Sequence, residues 1–214
     1  MASVPDNPRR NPERVNSPRP VLSWEVSTTN EDVAEYVRKQ LSQWDFEDVT
    51  RAAKGGCKLG AFILASCLMD HLAYFYSPIG SEHEKSGPRF RSFVSNYLKS
   101  YDSRKLYKDL RCHLVHNYTE GGSYLFTDGR PEVHLRPDSN SGRLIVNLED
   151  FLADIRGAMV RLFDDAKRGD TANDESGKAV SILDNIVRRF SKTGICGSVT
   201  AACASAGGRT RSAD

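Results

Sequence analysis

Apolar residues recur at helical spacing through most of this chain, and their positions mark out its elements before any chemistry is considered. From Asn30, the expected cap, Glu31 and Asp32 suit the positive start of a helix, with Val33, Tyr36, Val37 and Leu41 on one side. This helix is expected to end near Trp44 or to continue, kinked, through Phe46 and Val49 to Gly55 and Gly56. Lys58 to Tyr76 is the most apolar stretch. Leu59, Phe62, Ile63, Leu64, Leu68, Met69, Leu72, Phe75 and Tyr76 cover nearly its whole circumference, which puts it in the middle of a bundle. A loop with Pro78, Gly80, Ser81 and a solvated His83 follows. Pro88 then opens a short helix carrying Phe90, Phe93, Val94, Tyr97 and Leu98.

Asp102 and Ser103 can cap the next helix, in which Leu106, Leu110 and Leu114 recur at four-residue steps beside Tyr107. Thr119, Glu120, Gly121 and Gly122 are expected to stop it. The period then changes: Ser123 to Thr127 and Glu132 to Leu135 predict a hairpin about the Asp128, Gly129, Arg130, Pro131 turn, and Arg143 to Val146 offers a third piece. Asn147, with Asp150 as capping-box partner, opens an amphipathic helix with Leu148, Phe151, Leu152, Ile155, Met159, Leu162 and Phe163 on one face. Ala179 to Phe190 predicts a further helix, read as an arm that packs on a partner subunit.

These elements predict an all-α fold: an up-and-down bundle of four to five helices with a small β-hairpin inserted before the last core helix. The expected division is a disordered tail over 1–28, the helical domain over 29–168, a C-terminal helix over 169–191 and a second disordered tail over 192–214. In the first tail, Val21, Leu22 and Trp24 are the residues with which a short extended piece would dock.

Composition narrows the picture. Thirty basic against 28 acidic residues are too balanced for a dedicated nucleic-acid binder, so any contact with RNA must come from a local patch. Cys57, Cys67, Cys112, Cys196 and Cys203 lack CxxC spacing, which reads as reduced cytosolic thiols with neither a disulfide framework nor a zinc site. No apolar run reaches about 18 residues without a charge. The first twenty residues carry prolines and arginines where a signal peptide is apolar, so a cytoplasmic protein without membrane association is expected. Neither a phosphate loop, a GxSxG elbow nor an HExxH pair is present, and no metal or cofactor is expected.

Candidate chemistry concentrates at Arg111, His116 and Tyr118. The arginine is a fixed positive fork suited to phosphate oxygens, the histidine can give or take a proton near neutral pH, and the tyrosine supplies a hydroxyl. Together they suffice for attack of a ribose 2′-hydroxyl on the adjoining phosphate. On an ideal α-helix a five-residue step rotates by roughly 140°, so Arg111 and His116 do not share a face. A compact site needs a helix that loosens before Tyr118, an arginine that reaches around, or a two-fold dimer that brings each subunit's pair into one cleft.

Arg111, four intervening residues, then His116 and Tyr118 near the end of a late helix resemble the signature of the HEPN family, over roughly Thr29 to Asp165. The resemblance implies a small helical bundle that cleaves RNA without metal at a composite site in a homodimer, frequently in defence or toxin systems. In its subgroup paired with a nucleotidyltransferase antitoxin, the tyrosine of the His-x-Tyr form is the residue that the partner modifies. Active members often carry Asn, Asp or His directly after the arginine; here Cys112 follows, then His113, and both are supporting candidates.

Asp70 interrupts the most apolar helix. Either it bonds a neighbouring helix or faces the surface, or it orients Arg111 or His116. Arg89, Arg91 and Lys99 on the polar side of their helix are candidates for guiding RNA, against the simpler reading of a solvated face. His71 reads as a surface histidine, and His134 is not a catalytic candidate. Three functional classes stay open: an endoribonuclease cutting single-stranded RNA, a nucleotide- or RNA-binding module without turnover, and a helical interaction domain in which Arg111 pairs with Asp70.

Overall fold

The structure, a computed structural model, describes residues 29–78, 85–119, 121–173 and 178–192. The Pro-rich tail with its docking residues, His83, and the C-terminal tail with Cys196 and Cys203 lie outside the described residues.

The fold is dominated by helices. The first, α1 (Asn30–Gln40), is capped not by Asn30 but by the preceding Thr29. Thr29 accepts from the Asp32 amide at 3.2 Å while Asp32 accepts from the Thr29 amide at 3.0 Å, so two first-turn donors are satisfied reciprocally. The chain then continues rather than ending at Trp44. A π-helical turn (Leu41–Asp45) leads into α2 (Phe46–Lys54), and Gly56, at φ 78°, makes the left-handed reversal that Gly accepts without a Cβ clash.

The predicted central helix is α3 (Lys58–Tyr76), which packs against α2 and against three later helices, Ser86–Tyr97, Leu148–Arg168 and Ile182–Lys192. Ala61, Phe62, Ala65, Leu68, Met69, Leu72 and Phe75 are buried, and Leu64 and Cys67 remain on its open side. By length and composition alone α3 could cross a membrane, yet 56% of its apolar window is buried within the protein. The next helix, α4 (Ser86–Tyr97), buries Phe90, Phe93, Val94 and Tyr97. The motif helix follows as one run of α5 (Ser103–Leu106), a π-helical segment (Tyr107–Leu114) and α6 (Val115–Asn117). Asp102 caps it as expected, accepting from the amides of Arg104 and Lys105 at 3.0 Å each.

The expected hairpin does not form. β1 (Tyr124–Thr127) pairs in parallel with β2 (Leu144–Asn147), Tyr124 opposite Leu144 and Thr127 opposite Asn147. The segment assigned to the hairpin's second strand instead begins with a 3₁₀ turn, Pro131–Val133. Pro131 has no amide to give to a ladder, whereas its fixed φ suits a helical first position. Beyond that turn, Leu135 donates to the Ile145 carbonyl at 2.7 Å and Ile145 to Arg136 at 2.9 Å, so this stretch lines the other edge of β2.

Asn147 stands at the start of α7 (Leu148–Arg168) but its side chain makes no cap hydrogen bond; its Nδ2 donates to Asp150 at 2.6 Å and its Oδ1 accepts from the Arg130 backbone amide at 2.9 Å. The C-terminal prediction also changes. A second small sheet, β3 (Thr171–Asn173) antiparallel to β4 (Ala179–Ser181), precedes α8 (Ile182–Lys192). Far from being an arm, α8 buries Ile182, Ile186, Val187 and Phe190 against α1, α3 and α7.

Candidate functional site

The motif helix is wider than an α-helix where it matters. Val115 donates to the carbonyl of Leu110, five residues back, and each residue therefore turns through a smaller angle than in an α-helix. Arg111 and His116 are thus rotated apart by less than the roughly 140° of the regular form. Of the ways around the helix-geometry problem, loosening before Tyr118 is present in the fold.

Arg111 is half-buried and its Nε donates to Asp70 Oδ2 at 2.6 Å across to α3. Its two terminal nitrogens make no hydrogen bond among the described residues. Asp70 therefore bonds a neighbouring helix, and it does so through Arg111. His116 lies exposed in the last turn. Cys112 and His113 are half-buried beside Arg111 in sequence, and the His113 carbonyl accepts from the Thr119 amide at 3.4 Å.

The paired glycines do not end the helix. Tyr118 does, in the left-handed conformation at φ 55° and ψ 32°. A side chain there costs about 1–2 kcal/mol relative to the right-handed form, and non-Gly residues held this way cluster at functional sites. Tyr118 is 63% exposed.

What fixes the chain after Tyr118 is a residue that sequence reasoning missed. Asp109, fully buried on the motif helix, accepts from the Ser123 and Tyr124 amides at 2.6 and 2.8 Å. The Tyr124 hydroxyl in turn accepts from the Asp102 amide at 3.0 Å, so one tyrosine holds the helix at its cap and at its middle. Gly121 lies so close to the Asp109 carboxylate that a Cβ there would overlap it. The available signal was Asp109 three places after Leu106, a carboxylate on the apolar stripe.

The other candidates divide. Arg89, near the start of α4, lies over the Tyr74 ring at 5.4 Å, and Arg91 over Tyr107 at 5.6 Å. Burial lowers the pKa of Arg89; Asp70 opposes that, while Arg189 and Arg111 add to it. Lys99 is not brought to this neighbourhood. It follows α4 at the far end, ten residues and thus about 15 Å along the axis from Arg89, lining a cavity with Asp102 and Arg104 at the start of the motif helix.

His71 contacts Asp45 through Nδ1 at 2.9 Å and stacks on Phe75. His134 is occupied structurally: Nδ1 accepts from the Asn147 amide at 3.0 Å and Nε2 meets the Tyr101 hydroxyl at 3.0 Å. Tyr101 also donates to Asp154 at 2.7 Å, and burial first, then that carboxylate, drives its pKa up. Among the described residues no three His, Cys, Asp or Glu side chains gather to hold a metal ion. Comparison with family models, curated proteins and solved structures gave no match for this chain.

Proposed function

We propose that this chain is an endoribonuclease of the HEPN type, a helical bundle that cuts single-stranded RNA as a homodimer without a metal ion. The observation that carries the reading is Arg111, anchored through Nε on Asp70 with both terminal nitrogens unengaged among the described residues, five residues before an exposed histidine. A guanidinium held this way can take two phosphate oxygens as a fork. His116 removes the 2′-hydroxyl proton as that oxygen attacks phosphorus, and the bond from phosphorus to the 5′-oxygen breaks. Arg111 meets the charge that develops on the phosphoryl oxygens. The products are a 2′,3′-cyclic phosphate and a 5′-hydroxyl, the latter protonated by the second His116 of the dimer. The open apolar side of α3 at Leu64 and the exposed Tyr118 supply surface for that second copy. Tyr118 is also accessible to a nucleotidyltransferase partner, and the whole fits a defence or toxin component.

The test is cleavage of single-stranded RNA in chelator. Arg111→Ala and His116→Ala each abolish it while circular dichroism and the dimer mass stay as in wild type. Undiminished cutting by both variants defeats the enzyme reading.

A second reading keeps the fold and drops turnover: the site binds a nucleotide or RNA, or the helix serves protein interaction. The Arg111–Asp70 ion pair favours it, since pairing across two helices is also what a structural arginine does. Absence of cleavage by wild-type protein, with binding retained, selects this alternative.

A further inference from the structure

The run from α1 through α2 lies antiparallel to α7. Lys167 meets Glu35 at 3.1 Å and Arg156 lies over the Phe46 ring at 4.6 Å, so the partner on α7 recedes as the chain advances. Between α2 and α7 lies an open groove of about 760 Å³. Its two walls repeat one spacing: Phe46, Thr50 and Ala53 on α2, and Ala153, Gly157 and Val160 on α7, stand at i, i+4 and i+7 and so share one face of each helix. Phe46 and Leu152, both buried, make the floor, and Val160 is 44% exposed. Besides the face that it gives to the core, α7 is thus apolar on a second side.

The rim of this groove is basic. Lys54, Arg156 and Arg161 line it together with one carboxylate, that of Glu149, which accepts from the Gly129 amide at 3.0 Å. Arg156 rests on the Phe46 ring and Arg161 donates to the Tyr97 carbonyl at 2.6 Å, so both guanidiniums are held in place by uncharged groups. The acids of α2, Glu47 and Asp48, pair with Arg51 and do not line the groove. Two such grooves meeting about a two-fold axis would set basic rim against basic rim, whereas an acidic surface meets its complement. At Gly157 a Cβ would come within 3.2 Å of Arg161 Nη1; without one, the helix backbone is open to close approach from the groove.

We propose that the groove between α2 and α7 is the docking surface for an amphipathic helix of a partner protein, one with apolar residues at i, i+4 and i+7 and Asp or Glu on its flanks. Its apolar row packs on Phe46, Leu152 and Val160 and completes a three-helix layer, in which the second apolar side of α7 is buried. Its carboxylates meet Lys54, Arg156 and Arg161 along the rim, which fixes the choice of partner more than the strength of binding. None of the groove residues belongs to the Arg111, His116 and Tyr118 site, so the proposal stands apart from the nuclease reading.

The experiment titrates the full chain with two synthetic helical peptides of about 18 residues, which share leucines at i, i+4 and i+7 and differ in flanks of Glu or of Lys. The Glu peptide is expected to bind wild type about tenfold or more tightly than the Lys peptide. Val160→Glu, with circular dichroism as in wild type, should weaken the Glu peptide by about tenfold or more. Lys54→Glu should weaken the Glu peptide and strengthen the Lys peptide, which a merely structural lysine would not do. Arg104→Glu, outside the groove, should change either by less than about twofold. Failure of the Glu peptide to bind, equal affinity for the two peptides, or indifference to Val160→Glu and Lys54→Glu overturns the proposal. So does either of two other occupants: a peptide of residues 18–28 of this chain that binds where the Glu peptide does not, or a dimer in sedimentation that Val160→Glu dissociates. RNA cleavage by Val160→Glu is expected to equal that of wild type, so the two readings fail separately.

Discussion

Arg111 gives its Nε hydrogen to Asp70 at 2.6 Å, a pairing between the motif helix and α3 that spans 41 residues of sequence. Held at Nε, the guanidinium is fixed in direction while its outer edge stays available. On the nuclease reading proposed above, Asp70 is a positioning residue, and its removal should act through Arg111. Asp70→Ala is expected to lower RNA cleavage on the order of a hundredfold, since small misplacements of a positioned group have effects of that size. It should also lower stability by about 1–3 kcal/mol, by leaving a half-buried donor without its partner. Asp70→Asn keeps an acceptor and should fall between Ala and wild type. Single-turnover cleavage beside urea denaturation checks this: a purely structural pair would lose stability in both variants with turnover per folded molecule unchanged.

Asp109 and Gly121 make a second, tighter relationship, in which the glycine is required by the carboxylate rather than by its own backbone. Gly121→Ala drives a Cβ into the Asp109 side chain, which is buried and held by two amides. Overpacking of this kind typically costs about 1–3 kcal/mol. Gly122→Ala meets nothing within 4 Å and should be near neutral. Thermal denaturation of the two variants separates them; equal melting temperatures would mean that the loop after the motif is not fixed by Asp109.

The parts of this fold that were legible in the sequence are those that local pattern determines. The stripe Leu106, Leu110, Leu114, the Asp102 cap and the apolar girth of α3 each follow from residue spacing, and each is present. The parallel pairing of β1 with β2 was not legible, because its partner lies beyond the 3₁₀ turn and the pairing is set by tertiary position rather than by turn chemistry. Nor was the π-helical widening at Tyr107–Leu114, which depends on which carbonyl an amide reaches and not on residue type. For the candidate site, sequence named Asp70 and Arg111 but could not choose between pairing and orientation. It missed Asp109, because the Ser123 and Tyr124 amides that it accepts from lie beyond the end of its helix and are brought to it by tertiary position.

Tyr118 ends the motif helix at φ 55° and is 63% exposed, so it carries strain with little packing to offset it. Tyr118→Gly removes the steric cost of the left-handed conformation. Stability is therefore expected to stay level or rise by up to about 1 kcal/mol. RNA cleavage, in contrast, should fall, and Tyr118→Phe should distinguish the hydroxyl from the ring. Equal cleavage by wild type and Tyr118→Gly would remove the tyrosine from the site.

Glu35 binds α1 to α7: it accepts from Arg38 Nε and Nη2 at 2.9 and 2.5 Å and from Lys167 Nζ at 3.1 Å. Chiefly through Arg38, its pKa is lowered from the ordinary 4.5 to about 2. A carboxylate whose pKa is lower in the folded than in the unfolded chain contributes stability above the unfolded value and loses it as pH falls through the folded one. The contribution is therefore whole at neutral pH and fades between 4.5 and about 2. Because the pair is only part-buried and stays in reach of solvent, screening keeps it to about 1 kcal/mol or less. Urea denaturation of wild type and Glu35→Gln should show that difference at about pH 6 and its disappearance toward about pH 2. A gap between the two proteins that persists unchanged into acid would mean that Glu35 acts by shape and not by charge.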